Sequence, residues 1–212
     1  MINKHQYRPE NIYNMDETGY GIGLSQSTWV LVVREDRNKK EKKATKASTG
    51  RQEWVTSIEG VSASGRSLPP LVIFTAEGSL NSRWLPDKLE VQGWRWATSN
   101  KGWSNNTLAF EWLERVFEPC TAHPPSSSSN TRRLLILDGH GSHITGRFIT
   151  FCIDHAIDLM VLPAHTSQVS QPLDVGIFGP LKRQLARLID GLTTYDPRTS
   201  GRLMWRLCAL WL

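Results

Sequence analysis

The chain has 212 residues, a net charge of +5 and three cysteines, and these values exclude several classes of protein. The cysteines are odd in number and lie far apart among apolar neighbours, so neither a disulfide framework nor a structural zinc site is indicated. The N-terminus is too polar for a signal peptide, and no apolar run approaches the roughly 20 residues that span a membrane. We expect a soluble, intracellular protein with a single domain and no membrane contact.

The first predicted element is a strand that ends in an acid. Ile12, Asn14 and Asp16 alternate with Tyr13 and Met15, which is the two-residue period of a strand. We therefore expect Asp16 to lie on a rigid element. Apolar and β-branched residues predict further strands over residues 29–33, 53–59 and 71–74. Residues 93–97 fit another strand, but their tryptophans fit a loop folded on the core equally well.

The positive charge is concentrated in one segment, residues 34–51. This segment has eight Lys or Arg residues against three acids, so the rest of the chain is neutral overall. Such a cluster could neutralise DNA phosphates in a salt-sensitive way, although a solvated surface loop would have the same composition. The candidate DNA-binding residues are Lys39, Lys40, Lys42, Lys43 and Lys46.

Helical spacing first appears over residues 107–117, where apolar residues recur four apart. We expect Ser104 or Asn105 to cap this helix and Pro119 to end it. A low-complexity loop over residues 124–130 should follow. Three tryptophans before the helix could stack on unpaired bases, but core packing is the expected use of Trp94, Trp96 and Trp103.

The central feature is an apolar run over residues 134–137 that leads into Asp138. Its lack of alternation indicates a strand buried on both faces of a sheet. Glycines on both sides of His140 allow a sharp exit, which would present Asp138 at the carboxyl edge of the sheet, where open α/β folds bind ligands. An isolated Asp-Gly would more simply be a turn, so the assignment depends on whether other acids join Asp138.

The last third of the chain returns to helix and strand patterns. Thr145 can cap a helix whose expected core-facing residues are Phe148, Ile149, Cys152 and Ile153. Residues 159–162 predict another buried strand, and a long helix should begin near Gly179. Asp174 would then lie just before this helix or within its opening turn.

Four strings in register identify the family that this chain resembles. They are NMDETG at residues 14–19, LDGHGSHIT at 137–145, LPAHTS at 162–167 and QPLDVG at 171–176. In this order they resemble the DDE endonuclease domain of the pogo branch of mariner-like transposases. The 35 residues between Asp138 and Asp174 agree with the spacing expected of that family.

The resemblance implies an α/β, ribonuclease-H-like fold with a central mixed sheet flanked by helices. It also implies that Asp16, Asp138 and Asp174 hold Mg²⁺ or Mn²⁺, with two ions at the site, for cleavage and strand transfer of DNA phosphodiesters. DNA in the nucleus would be the partner, a homodimer is a candidate assembly, and no small-molecule cofactor is expected.

Several residues around the acids have alternative interpretations. His140, His143 and His165 could support metal-bound water or DNA phosphate, or could instead bind zinc, which the three acids make less favourable. Glu17 should point away from Asp16 on its strand, towards a surface or ion-pair role. Gln168 stands where many relatives have histidine, which removes one expected loop contact.

The resemblance also predicts the domain organisation and two competing functions. We expect an extension at residues 1–10, the endonuclease domain at 11–190 with a basic insertion at 34–51, and a truncated segment at 191–212. A helix-turn-helix module that reads transposon ends would be missing. The first alternative to an active DNA nuclease is a catalytically inactive chromatin protein resembling centromere protein B. The second is a ribonuclease-H-like nuclease that acts on RNA hybrids.

Overall fold

The computed structural model describes residues 6–22, 53–78, 80, 93–123, 132–139, 145–163 and 170–193. Within these ranges, six strands form one sheet in the order β4-β3-β2-β1-β5-β6. The strands are β1 Ile12–Ile22, β2 Glu53–Ser62, β3 Leu71–Thr75, β4 Arg95–Ser99, β5 Arg133–Leu137 and β6 Ile157–Val161. The first three strands pair antiparallel, whereas β4 runs parallel to β3, and β5 and β6 run parallel to β1. The predicted mixed sheet is confirmed.

Most predicted strands are found with small changes of boundary. The first strand continues beyond Asp16 as far as Ile22, whereas the strand predicted at 93–97 begins two residues later. The strand predicted at 159–162 begins earlier and is not buried, because it is the outermost strand of the sheet, and Val161 is 42% exposed. The predicted strand at 29–33 and the basic insertion lie outside the described residues.

Helices pack on both faces of the sheet. Helix α1 (Asn106–Trp112) continues through a π-helical turn (Leu113–Phe117) into α2 (Glu118–Thr121). Helix α3 is Gly146–Asp154. A second π-helical turn (Asp174–Phe178) leads into α4 (Gly179–Thr193). Asn105 caps α1 by accepting hydrogen bonds from the backbone of Thr107 and Leu108, and Thr145 caps α3 through Phe148 N–H. Both predicted caps are confirmed.

The prediction that Pro119 ends the first helix was wrong. The chain stays helical as far as Thr121 because the π-helical turn comes directly before the proline. In this turn Glu118 N–H bonds to Leu113 O, five residues back, so the helix is already widened where the proline ring enters. Pro119 itself lies on the exposed side of the helix.

The main core lies between one face of the sheet and helices α1 to α3. Met15, Ile58 and Leu135 from three neighbouring strands meet the fully buried Trp112 and Phe148 there. The opposite face of β1 carries Asn14 and Asp16, as the alternation predicted. This second face is the one that the acids share.

Two predictions about side-chain burial were wrong. Ile153 was expected to face the core but is 68% exposed, because only Phe148 and Cys152, four residues apart, are buried in the short helix α3. Trp103 is 56% exposed and stacks on Trp54 with ring centroids 4.9 Å apart, so it is not a core residue. By contrast, Trp94 and Trp96 pack against a small apolar cluster of Val55, Val72 and Phe74, as expected.

Candidate metal-binding and catalytic site

Two of the three predicted acids belong to adjacent parallel strands or their ends: Asp16 lies on β1, and Asp138 directly follows β5. In the β1–β5 pair, Ile12 is opposite Leu134 and Asn14 is opposite Ile136. Two residues further along each segment come Asp16 and Asp138. Because neighbouring strands are about 4.8 Å apart, this register brings the two acids together where β5 ends. The carboxyl edge of the sheet was the predicted place for Asp138.

The third acid reaches the same edge from a distant part of the chain. Asp174 opens the π-helical turn before α4 and is exposed. The residue before it, Leu173, is buried, and its backbone N–H donates a hydrogen bond of 3.1 Å to Asn14 Oδ1. Since Asn14 is two residues from Asp16, this bond fastens the segment that carries Asp174 to the strand that carries Asp16.

The electrostatics of Asp16 show that the three carboxylates are close enough to interact. Asp16 is only 7% exposed, and its pKa is raised to about 7, first by burial and then by the negative charges of Asp174 and Asp138. A hydrogen bond of 2.8 Å from Glu17 N–H to Oδ1, together with hydrogen bonding from Gln171, partly opposes this increase in pKa. Each of the other two acids therefore makes ionisation of Asp16 more difficult.

The second carboxylate oxygen of Asp16 tests whether these residues fit a divalent metal ion. Asp16 Oδ2 is buried and has no hydrogen-bond partner among the residues that the structure describes. A buried, unpaired carboxylate oxygen beside two like charges is unfavourable, and a divalent cation would relieve both costs. Three carboxylates are also the hard oxygen donors that Mg²⁺ prefers, so this donor set fits the implied metal. Among the described residues, however, no group of three His, Cys, Asp or Glu side chains is already arranged as a metal site.

The family follows from comparison with known proteins. The family model of the DDE superfamily endonucleases matches residues 51–190. The chain belongs to this family. The match begins after β1 and does not include Asp16, whose position is known from the sheet alone.

Curated relatives are consistent with a pogo-type DDE domain. The chain is 29% identical over 178 residues to a human protein named "Pogo transposable element with KRAB domain", covering 84% of this chain and 27% of that protein. It is 34% identical over 189 residues to a protein of Cochliobolus lunatus named "MFS-type transporter clz9", covering 89% of this chain and 20% of that protein. The chain thus spans about a quarter or less of these relatives, and their names do not define its activity. No helix among the described residues is long and apolar enough to cross a membrane.

Solved structures show the same fold. The chain aligns with a structure titled "Crystal structure of a pre-cleavage Mos1 transpososome" with a TM-score of 0.54 and 10% identity, covering 98% of this chain and 54% of that chain. A second structure, "Crystal structure of the Mos1 Strand Transfer Complex", aligns with a TM-score of 0.50 and 9% identity, covering 95% and 51%. The predicted ribonuclease-H-like fold is confirmed.

Several predicted site residues of the DDE domain lie outside the described part of the chain. These are His140, His143, His165, Gln168 and the lysines Lys39, Lys40, Lys42, Lys43 and Lys46. Their roles, including the zinc alternative for the histidines, therefore remain predictions. Glu17 is described, and it accepts a hydrogen bond from Ser104 Oγ, next to the start of α1. This contact places Glu17 on the core side of β1, away from Asp16, as expected.

Sequence reasoning missed three polar residues of the DDE domain near the acids. The sequence predicts no role for Asn14 and Gln171 beyond their place in the family strings, but both are buried and join the acid-bearing segments. Glu59 was read as part of an ordinary strand, but it is 1% exposed and pairs with Asp16 across β1 and β2. A charged residue within a run of β-branched and apolar residues was the available signal for Glu59.

Proposed function

We propose that this chain is the catalytic domain of a pogo-type transposase, which cleaves DNA phosphodiesters and transfers DNA strands with the help of divalent metal ions. The observation that carries this proposal is that three separate segments bring an acid to one edge of the sheet: Asp16 lies on β1, Asp138 directly follows the adjacent strand β5, and Leu173, next to Asp174, is hydrogen-bonded to Asn14. These acids come from three separate segments, and bringing like charges together at one edge of the sheet is unfavourable, which is typical of a functional site. Membership of the DDE endonuclease family supports the same reaction class.

The donor set favours Mg²⁺ or Mn²⁺, with two ions at the site. Asp16 and Asp138 would share the ions, and Asp174 would complete one of the two binding positions. When bound, the ions would supply electrostatic stabilisation of the attacking and leaving oxygens at phosphorus. The attacking group is a water molecule or a DNA 3′-hydroxyl, so the protein provides no covalent nucleophile. Its own contribution is to hold the three carboxylates in place, and a bound ion would favour the ionised form of Asp16.

The remaining parts of the proposal concern partners and organisation. The basic segment 34–51 would contact DNA phosphates. The histidines that follow Asp138 would support metal-bound water or DNA phosphate. The protein would act in the nucleus, as a homodimer. The endonuclease domain would occupy residues 11–190. A transposase of full length would need an additional module to select transposon ends.

Nicking of supercoiled plasmid DNA in Mn²⁺ tests the proposal. Asp16→Asn, Asp138→Asn and Asp174→Asn should each abolish nicking, because loss of a carboxylate removes a metal ligand without a large change in shape. Asp154→Asn, at the exposed end of α3, is the matched control and should retain the parent activity. Nicking that survives in Asp138→Asn would rule out the proposed site.

The binding-protein alternative makes a different prediction in the same assay. A chromatin protein of the centromere protein B type would bind DNA with unchanged affinity in all three acid variants and would not nick it in any metal. Retention of all three acids at one edge of the sheet favours the enzyme, since a protein that only binds DNA gains nothing from a buried carboxylate whose pKa is about 7.

A further inference from the structure

One amide side chain touches all three acid-bearing segments. Asn14 lies on β1 and is 5% exposed. Its Nδ2 donates to Ile136 O on β5 at 3.1 Å, and its Oδ1 accepts from Leu173 N–H at 3.1 Å. Each of the three contacted segments carries a site acid one or two residues further along the chain. Asn14 is therefore placed where it can fix the relative positions of all three.

A second amide completes this arrangement. Gln171 is fully buried, and its Oε1 accepts the other Nδ2 hydrogen of Asn14 at 3.1 Å. Its Nε2 donates to Met15 O, between Asn14 and Asp16, at 3.0 Å. The residues joined here are more than 150 positions apart in the chain, so these bonds join distant segments rather than shape a local turn.

The chemistry of the amide explains why these positions need Asn and Gln. The Asn14 contacts require two donors and one acceptor on a short side chain, which only an amide offers. Aspartate would lose both donors and would add a negative charge beside Asp16. Alanine at position 14 would remove the hydrogen bonds that Asn14 makes to Ile136 O, Leu173 N–H and the Gln171 amide. These groups lie around a buried side chain, so the loss is costly.

We propose that Asn14 and Gln171 are positioning residues of the metal site, which hold the Asp174 segment at the distance from Asp16 and Asp138 that ion binding requires. This role rests on the proposed function, because it assumes that the three acids bind metal. Neither amide needs to touch the metal or the DNA. Residues that orient metal ligands typically contribute about 10- to 100-fold to metal affinity, and an effect of that size is expected here.

Thr121 provides a matched control at the opposite end of β5. It is 5% exposed, and its hydroxyl donates to Phe117 O at 2.7 Å and accepts from Arg133 at 2.8 Å. Thr121→Ala therefore removes a buried side chain with two hydrogen bonds, as Gln171→Ala does, whereas Asn14→Ala removes three; Thr121 lies far from the acids. Gln171→Ala is the milder of the two test variants, because Asn14 keeps its bonds to Ile136 and Leu173.

Two measurements on the whole chain test the role. Hydrogen exchange in metal-free protein reports how often the backbone of residues 170–178 opens locally. Thermal unfolding at increasing Mn²⁺ concentration reports metal affinity. We expect Asn14→Ala and Gln171→Ala to speed exchange at 170–178 and to raise the half-saturating Mn²⁺ concentration at least tenfold. Thr121→Ala should lower the melting temperature while leaving both of these quantities at the parent values.

The other outcomes are also decisive. Faster exchange at 170–178 with an unchanged Mn²⁺ dependence would overturn the positioning role, since the amides would then hold the segment without affecting the site. An equal loss of Mn²⁺ affinity in Thr121→Ala would attribute the effect to general destabilisation. A parent protein that Mn²⁺ does not stabilise would instead refute the metal site itself, and the positioning role with it.

Discussion

Asp16 lies directly opposite Glu59 across the antiparallel pair of β1 and β2, so two buried acids are cross-strand neighbours. Side chains opposite each other in such a pair share one face of the sheet, which places Glu59 on the same face as the candidate site. Burial raises the pKa of Glu59 to about 8, and within the described part of the chain its Oε2 has no hydrogen-bond partner. Glu59 is therefore a mostly protonated acid beside Asp16 at neutral pH.

The first prediction concerns the pH dependence of stability and Glu59→Gln. The pKa of Glu59 is raised from 4.5 to about 8 on folding, so the folded state keeps a proton that the unfolded state releases. The stability from this group is complete below pH 4.5 and is lost as pH rises through about 8. Glutamine keeps an oxygen that can accept from Ser57 Oγ but cannot ionise. Urea unfolding at pH 5, 7 and 9 should show Glu59→Gln gaining stability relative to the parent as pH rises; parallel curves would contradict the prediction.

The second prediction concerns metal binding and the proton on Asp16. Because the pKa of Asp16 is about 7 without metal, a cation must displace a proton from it at lower pH. The affinity for Mn²⁺ should therefore fall about tenfold per unit of pH below 7 and level off above it, as one displaced proton requires. Thermal unfolding with Mn²⁺ at pH 6, 7 and 8 measures this slope. A flat profile would show that ion binding does not involve Asp16.

The sequence predicts well the strands that carry or precede Asp16 and Asp138, and it predicts poorly how Asp174 approaches them, for physical reasons. Asp16 and Asp138 follow from alternation and from a buried apolar run, which are local patterns with one structural solution. The approach of Asp174 depends on hydrogen bonds between Asn14 and residues more than 150 positions away, and no local pattern reports them. Glu59 was missed because its burial depends on its neighbours in the sheet.

The third prediction concerns Gly19, where a side chain has no space. A Cβ atom at Gly19 would overlap the Trp54 ring, which itself stacks on Trp103. Gly19→Ala must push the ring aside and should destabilise the protein by about 1–3 kcal/mol, with a shift in tryptophan fluorescence. Gly146→Ala, in open space at the start of α3, is the matched control and should be neutral or slightly stabilising. Equal unfolding free energies in the two variants would disprove the close contact.

The last prediction separates stability from the site by means of Arg133. This side chain is 4% exposed, forms an ion pair of 2.7 Å with Glu118, and donates to Thr121 and to His155 O. Arg133→Met should cost about 3 kcal/mol, because it leaves several polar partners without their donor.

Arg133 begins β5, whereas Asp138 follows its other end, so the loss should not reach the acids. Urea unfolding should show the lower stability, while the Mn²⁺ concentration for half-saturation at a temperature where the variant is folded should equal that of the parent. A weaker Mn²⁺ affinity in Arg133→Met would mean that β5 transmits strain along its length, because a rigid strand would leave Asp138 in place.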